Sequence, residues 1–379
     1  MIRLIAMAPP PIVSMPRLVR MSAAEIAELI EGRPPDAGFF MNQYQIFSTL
    51  GNRGFALAMQ EKALALSTAF RIDAVRNPAI RLLALMTPGD SSDNTPIEYL
   101  TENSDIQLDL LYILPGMPLP EAIPEHDVAI VAAGKRSSLD EMEEIIANWP
   151  RPVLNPVDGI RRCAREILWQ ILRDIPGLEI APTTIESRQS LTANYPMTIR
   201  PLDSQAGQGL SRIEDAEDLK EYLTKSDAEF FHVSRFIDCR SRDGRYRKIR
   251  IVLIDGEPHV CHLAINEHWI VHYGTSNMGM SAEKRCEEAG FMKRFEGEFL
   301  PRHRGALNEI SRRTGLDYVV IDCAETDDKK LLVFEADNRG WVHATDPMDL
   351  FPYKQEHMKK VFSAFRSMLI RAMRQTAIR

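Results

Sequence analysis

The sequence contains few cysteines and no long apolar run. Its 379 residues include five cysteines, which are dispersed and contain no Cys-x-x-Cys pair. An odd, scattered set of this kind indicates a reducing compartment rather than a disulfide framework. An apolar stretch at the start is cut by three prolines at 9–11, well short of the about 20 residues that a membrane span needs. No later window is apolar enough to cross a bilayer, so we predict a cytoplasmic chain without a membrane partner.

Several catalytic motifs are also missing. The chain has no GxxxxGK[ST] phosphate loop and no Gly-x-Ser-x-Gly elbow, and its loop SQAGQGL at 204–210 lacks the third glycine of a dinucleotide fingerprint. A zinc site is not predicted either. The histidines at 259, 262, 268 and 272 have no recognised finger spacing, and strand alternation places His259 and His262 on opposite faces. The sequence offers no signal of a covalent nucleophile.

The overall charge is modest, but it is unevenly distributed. Hydrophobic residues make up 45% of the chain and charged residues 26%, which is typical of a folded protein of two or three units. The net charge of −7 gives no general reason to bind nucleic acid, and no nucleic-acid partner is predicted. Locally, residues 90–144 carry a net charge of −11, whereas residues 235–250 carry +5. The basic segment is therefore a candidate anion site.

The first 78 residues are predicted to be helical. Segments 22–31 and 43–72 have apolar residues at helical spacing, and Ser22 with Glu25 predicts a capping box. Four positions resemble one tetratricopeptide repeat: Phe47, Leu50, Gly51 and Ala63. A single repeat cannot bury its own face, which favours a hairpin packed on the rest of the chain. A peptide or protein contact through these helices, and homo-oligomerisation, stay open.

Residues 79–154 have the alternating pattern of strands and helices that is typical of a small α/β domain. Short apolar runs predict buried parallel strands at 80–86, 108–114, 127–133 and 152–155, with helices at 95–104 and 138–148 between them. Residues 155–379 read as α+β. Their predicted helices are 158–173, 214–225, 282–314 and 355–375, and their predicted strands are 196–201, 230–237, 247–265 and a hairpin about the turn at 327–330. The fold class is thus α/β and α+β multidomain.

Carboxylates and cations gather in the second half of the chain. Asp322 lies on one strand of the predicted hairpin, and Glu335 and Asp337 share a face of the next. Clustered carboxylates of this kind favour a hard cation such as magnesium, with a solvated strand end as the alternative. Lys248 and Arg250 share a face of another strand, as a pair gripping phosphate would. The glycine loop, taken alone, slightly favours an ordinary turn over an anion-binding loop.

The order of these features resembles a known superfamily. The segments LNPVDGIRRCARE, APTT, MTIRPLDSQAGQGL, FFHVSRFID, YRKIRIVLIDGEP, YVVIDCAE and VFEADN cover about residues 155–340. In that order and spacing the chain resembles the ATP-grasp superfamily, and within it the glutathione synthetase-like and ribosomal-protein glutamate ligase branch. The resemblance implies a pre-ATP-grasp α/β domain at 79–154 and an ATP-grasp domain at 155–379 that binds the nucleotide between its two lobes, after the helical region 1–78.

The resemblance also implies roles for individual residues. Arg165 and Arg200 stand where nucleotide-contacting lysines are usual, and Arg250 would hold the transferred phosphate as the catalytic cation. Lys248 stands where an acidic ribose contact is common. Asp322, Glu335 and Asp337 would hold two magnesium ions, with manganese as the alternative. The remaining cofactor-binding residues are those of a phosphate-covering loop and an adenine-binding linker: Gln205, Gly207, Gln208, Gly209, Val233, Phe236 and Ile237.

The implied activity is that of an ATP-dependent carboxylate–amine ligase. ATP would phosphorylate the carboxylate of a small molecule or peptide, and an amine would attack the acyl phosphate to form an amide. The Arg-for-Lys replacements at Arg165 and Arg200 change a point donor into a planar fork. In addition, the stretch containing His272 and Asn277 lacks the usual Arg-x-Asn pattern. A small-molecule kinase and a nucleotide-binding interaction protein without ligase activity therefore remain alternatives.

Overall fold

The chain forms two compact units that are interleaved in sequence. The computed structural model describes residues 2–192, 194–202, 204 and 207–376. The first unit comprises Met1–Ile160, Gly315–Val320 and Asn338–Arg379, and the second comprises Arg161–Thr314 and Ile321–Asp337. The mixture of helices with parallel and antiparallel sheets confirms the predicted α/β and α+β multidomain class. In the described ranges no helix is both long enough and apolar enough to span a membrane.

After a short strand, the first unit continues with four helices and then with a mainly parallel sheet. Up to the point where the chain enters the second unit, its elements are β1 (Arg3–Ile5), α1 (Met15–Leu18), α2 (Ala23–Glu28), α3 (Ala37–Thr49), α4 (Arg53–Leu66), β2 (Ala69–Ile72), β3 (Ile80–Met86), α5 (Ile97–Leu100), β4 (Ile106–Tyr112), β5 (Ala122–Pro124), β6 (Val128–Val131), α6 (Leu139–Ile146), β7 (Val153–Leu154) and α7 (Val157–Arg162).

The remaining elements form the second unit and then return to the first. They are α8 (Arg165–Leu172), β8 (Leu178–Ile180), β9 (Thr183–Ser187), β10 (Met197–Pro201), β11 (Ser211–Ile213), α9 (Ala216–Lys225), β12 (Phe230–Arg235), β13 (Tyr246–Ile254), β14 (Glu257–Asn266), α10 (Ala282–Arg294), α11 (Leu300–Thr314), β15 (Tyr318–Glu325), β16 (Leu331–Asp337) and α12 (Lys354–Thr376).

The N-terminal helices pack on the first unit, as predicted. The capping box at the start of α2 is present: the Ser22 Oγ accepts the Glu25 N–H at 3.3 Å, and the Ser22 N–H donates to Glu25 Oε2 at 2.7 Å. Helices α3 and α4 form a hairpin held to the loop after β3, where the Tyr44 hydroxyl donates to the Gly89 carbonyl at 3.0 Å. The predicted helix 43–72 was wrong at its end, because residues 69–72 form β2.

A five-stranded sheet in the order β2-β4-β3-β6-β7 organises the first unit. Strands β4, β3, β6 and β7 pair in parallel, which confirms the sequence prediction, and β2 adds an antiparallel edge. Leu83 and Ile130, near the middle of two central strands, are fully buried. The predicted helix 95–104 is only the four-residue α5, since the polar stretch that follows it turns directly into β4.

Two sheets frame the second unit. A four-stranded antiparallel sheet has the order β11-β10-β12-β9, and a five-stranded sheet has the order β14-β13-β15-β16-β8. The pairing of β13 with β14 is irregular between Arg250 and Ile251. A bulge of this kind redirects side chains and increases local twist. The predicted helix 158–173 is interrupted: Ala164 is extended, and Arg165 is the first residue of α8.

Glu98 gives the first unit a pH-dependent stability. It lines a cavity of about 560 Å³, its Oε2 accepts the Met15 N–H at 2.6 Å, and burial raises its pKa from 4.5 to about 7. The unfolded chain ionises this carboxyl at lower pH than the folded protein, so unfolding releases a proton between pH 4.5 and 7. We expect the free energy of unfolding of the wild type to fall by about 1–3 kcal/mol as pH rises from 5 to 8.

Glu98→Gln tests this prediction. The glutamine keeps an acceptor for the Met15 N–H but cannot ionise, so its unfolding free energy should stay level over that pH range. Glu121→Gln, at an exposed position, is the control and should follow the wild type. Urea or thermal unfolding at pH 5 and pH 8 makes the comparison. Parallel pH profiles for the wild type and Glu98→Gln would contradict the raised pKa.

Candidate functional site

The central strands of the five-stranded sheet in the second unit bring cations against carboxylates. Ile249 is buried on one face of β13, and its neighbours Lys248 and Arg250 point to the other. Strand β15 lies next to β13 and carries Asp322, and β16 follows with Glu335. The strand order therefore places the basic face of β13 beside two of the predicted acidic residues.

Asp322 is bound by two cations at once. The Arg250 guanidinium makes a two-pronged contact, from Nε to Oδ1 at 2.7 Å and from Nη2 to Oδ2 at 2.8 Å. The Lys248 Nζ lies 2.9 Å from Oδ2. The side chains of Lys248 and Asp322 are 12% and 4% exposed. Burial opposes ionisation of Asp322, but Arg250 and Lys248 outweigh it and hold its pKa below the ordinary value.

Glu335 has its own cation, from the first turn of α8. Arg165 Nη2 donates to Glu335 Oε2 at 2.5 Å. Desolvation and the neighbouring charge of Asp322 oppose ionisation of Glu335, whereas Arg165 and Lys248 favour it, and its pKa is lowered. The break between α7 and α8 is thus what sets Arg165 at a helix start facing this carboxylate.

Arg200 is a buried cation that makes no ion pair with any carboxylate in the part of the chain that the structure describes. It lies on β10, where its Nε donates to Ser204 Oγ at 3.0 Å and its Nη2 to the Ser204 carbonyl at 2.5 Å. Burial, and then repulsion by Arg165, lowers the pKa of Arg200 to about 10, although Glu335 acts in the opposite sense. Together with Arg165, Lys248 and Arg250, it forms a set of four cations that we call the cation cluster.

The glycine loop closes against this region. Gly207 and Gly209 have φ of +76° and +64°, a conformation that favours glycine. A Cβ on Gly207 would lie 2.5 Å from His272 Nε2, and one on Gly209 would lie 2.7 Å from Pro201. Burial, together with the charge of Lys248, lowers the pKa of His272, so its imidazole is neutral at physiological pH. Gln208 is exposed, and Gln205 lies outside the described residues.

The predicted adenine linker begins in the second half of β12 and continues just past its end. Val233 is buried within the strand, and Phe236 and Ile237 just after it are half-buried. The Arg212 guanidinium lies 4.0 Å from the centre of the Phe236 ring, and the Phe236 N–H donates to the Pro196 carbonyl at 3.1 Å. The linker therefore presents an apolar surface with one aromatic ring already covered by a cation.

The residues as they stand do not fit two magnesium ions. Throughout the described part of the chain, no three His, Cys, Asp or Glu side chains are grouped so that they could hold a metal ion. Asp322 contacts Lys248 and Arg250, and Glu335 contacts Arg165. Asp337, at the end of β16, makes contacts of its own. The magnesium site stays a prediction, and the protein cations occupy the carboxylate oxygens on which it depends.

Sequence reasoning missed a buried polar contact beside the cation cluster. His232, on β12, lies with Nε2 3.1 Å from Glu166 Oε2, on the first turn of α8. The pair links the four-stranded sheet to the helix that carries Arg165. Strand alternation places His232 on the face opposite Val233, but no local pattern in the sequence identifies Glu166 as its partner.

Comparison with solved structures identifies similar folds at low sequence identity. A D-alanine–D-alanine ligase from Coxiella burnetii matches 80% of this chain and 97% of that chain, with 9% identity and a TM-score of 0.51. A D-alanine–D-alanine ligase from Bacillus anthracis complexed with ATP covers 78% of this chain and 99% of its own, with 15% identity and a TM-score of 0.49. A RimK domain ATP-grasp protein from Sphaerobacter thermophilus covers 76% and 99%, with 15% identity and a TM-score of 0.43.

At these identities the likeness concerns the fold, and of these three matches the Coxiella burnetii structure supports it. No protein-family model matches the chain, and no curated protein does.

Proposed function

Because the chain has the ATP-grasp fold, we propose that it is an ATP-dependent carboxylate–amine ligase. The observation that supports this most directly is the cation cluster: four buried or half-buried cations face two carboxylates beside a glycine loop. Low-dielectric sites with excess positive charge favour polyanions such as a triphosphate. Strand β10, which carries Arg200, pairs with β12, the strand that leads into the apolar linker that would receive adenine.

The proposed reaction has two steps. A substrate carboxylate oxygen attacks the γ-phosphorus of ATP, forming an acyl phosphate as the bond to the β-phosphate oxygen breaks and ADP leaves. An amine nitrogen then attacks the acyl carbon, phosphate leaves with the bonding electrons, and the amine loses a proton. Arg250 would hold the transferred phosphoryl group, and Arg165 and Arg200 would hold the other phosphates. Positioning and charge stabilisation of this kind supply most of the catalysis in phosphoryl transfer.

The substrate class follows from two considerations. The structurally similar proteins include D-alanine–D-alanine ligases, which suggests an amino-acid or peptide carboxylate as the acceptor. The excess positive charge of the cluster suits an anionic acceptor in addition to ATP. Magnesium enters this proposal as an ion that arrives with the triphosphate. No step is assigned to a resident metal pair, because Asp322 and Glu335 are already paired with protein cations.

Product analysis tests the proposed function. The protein is incubated with ATP, magnesium and pools of amino acids, and ADP, phosphate and new amides are measured by coupled assay and mass spectrometry. A ligase releases phosphate and forms an amide only when carboxylate and amine are both present. A phosphorylated alcohol without free phosphate would identify a kinase. Nucleotide binding without turnover of any pool would favour the interaction-protein alternative.

Gly207→Ala is expected to weaken ADP binding about tenfold. The alanine would be strained at a φ of +76° and would push His272 out of place. Gly274→Ala is the control, because a Cβ there meets no atom within 4 Å. In a cycle with His272→Ala, measured by calorimetry, the loss caused by Gly207→Ala should shrink. Equal losses with and without His272 would show that the contact between loop and imidazole has no role.

A further inference from the structure

Lys248 holds a position at Asp322 that a metal ion would otherwise need. We propose that its ammonium group replaces one divalent cation, so that this site binds nucleotide phosphates with protein cations and with at most one metal ion. The inference rests on the proposed nucleotide site and specifies which groups compensate the negative charges there. It is carried by the contacts of Asp322, which the sequence-based prediction of two magnesium ions did not anticipate.

Protein cations already occupy the carboxylate of Asp322. Two oxygens offer about four lone-pair positions. Arg250 uses one position on each oxygen, and Lys248 uses a further one on Oδ2. Magnesium requires a close, nearly octahedral contact at about 2.0–2.1 Å and gives up its water reluctantly. An ion bound to Asp322 would therefore have to displace the Lys248 ammonium or the fork of Arg250.

Electrostatic repulsion also opposes a divalent ion at Asp322. Like charges about 4 Å apart repel each other strongly at the effective dielectric constant of a protein site. A divalent ion on the same carboxylate as Lys248 would meet this repulsion from the lysine alone, and Arg250 would add to it. Both side chains are largely buried, at 12% and 16% exposure, so solvent screens the repulsion only weakly. In the nucleotide-free protein Asp322 needs no metal ion, because Lys248 and Arg250 already compensate its charge.

The protein cations of the site also exceed its carboxylates in number. The four members of the cation cluster outnumber Asp322 and Glu335 by two, and outnumber the carboxylates by one when Asp337 is included. A site that depended on two resident divalent ions would start with an excess of negative charge. Here the protein itself supplies the positive charge that a triphosphate requires. Lys248 is the member that sits where an acidic ribose contact was expected.

Manganese binding to the nucleotide-free protein provides the test. Electron paramagnetic resonance titration with Mn²⁺ alone compares the wild type with Lys248→Met, Lys248→Arg and the control Lys220→Met, which is exposed on α9. We expect Lys248→Met to bind one Mn²⁺ at least tenfold more tightly than the wild type. Lys248→Arg and Lys220→Met should behave as the wild type. The gain should vanish in Lys248→Met combined with Asp322→Asn, which shows that Asp322 is the ligand.

Two outcomes would overturn the proposal. One is equal Mn²⁺ affinity in the wild type and Lys248→Met. The other is a tight Mn²⁺ site in the wild type that Asp322→Asn abolishes, because Asp322 would then be a metal ligand despite Lys248. Because the expected effect is a gain of binding, loss of folding cannot imitate it. ADP binding to the wild type, measured separately in EDTA and in magnesium, tests the proposed function on its own, since either result can occur without the other.

Discussion

Arg250→Met is expected to lower kcat/KM by about 100- to 1000-fold, the range seen when one donor that stabilises the charge of a transition state is removed from an oxyanion hole. Arg250 makes two hydrogen bonds to Asp322 and is 16% exposed. The change removes the cation proposed to hold the transferred phosphate. Among the described residues it also leaves Lys248, whose Nζ lies 2.9 Å from Oδ2, as the cation that contacts Asp322.

Arg242→Met is the matched control, because Arg242 lies exposed in the turn before β13. Its activity should equal that of the wild type. Thermal unfolding separates catalysis from folding, since breaking a buried ion pair can destabilise a protein by about 3–5 kcal/mol. The assay is therefore run at a temperature at which both variants are folded. A kcat/KM within threefold of the wild type for Arg250→Met would remove Arg250 from the mechanism.

Arg200→Met is expected to stabilise the nucleotide-free protein while weakening ADP binding about 100-fold. Burial and Arg165 lower the pKa of Arg200 from 12.5 to about 10, yet the guanidinium is still charged at neutral pH. The folded protein therefore bears an unfavourable charge. The shift corresponds to at most about 3 kcal/mol, less the hydrogen bonds to Ser204 that methionine cannot make. We expect a net gain of about 1 kcal/mol in unfolding free energy.

Arg312→Met, at an exposed position on α11, serves as the comparison and should change neither property. Urea unfolding and calorimetric titration with ADP measure the two effects on the same samples. A gain in stability together with a loss of ADP binding would show that Arg200 contributes to binding and lowers the stability of the folded protein. If Arg200→Met lost stability and bound ADP normally, Arg200 would be a structural residue.

Much of the fold could be predicted from sequence because the relevant signals are local. Runs such as 80–86 and 127–133 are nearly continuous in apolar residues, which occurs when both faces of a parallel strand are buried. The first unit has these strands in parallel pairing. By contrast, β2 was assigned to a helix, since residues 69–72 have no pattern that distinguishes them from the end of α4. Their conformation depends on pairing with β4, which is 34 or more residues away.

The candidate site residues could be proposed from the sequence, whereas the contacts between them could not. Alternation correctly placed Lys248 and Arg250 on one face of a strand. Their pairing with Asp322 depends on β13 and β15 being neighbours, which sequence alone does not specify. The same holds for Arg165 and Glu335, which are 170 positions apart. The sequence suggested a phosphate site made of cations and a separate metal site made of carboxylates. In the structure these cations and carboxylates form direct ion pairs.

The interleaving of the two units has a consequence for synthesis on the ribosome. Domains generally fold as they emerge, from the N-terminus onward. Here the first unit includes α12, whose Arg366 makes two hydrogen bonds to Asp105, and whose Phe365 packs edge-on against Tyr318. The first unit can therefore complete its packing only after the whole of the second unit has been translated. Nascent chains truncated before residue 354 lack α12, and we expect their first unit to be cleaved by protease faster than that of the full chain.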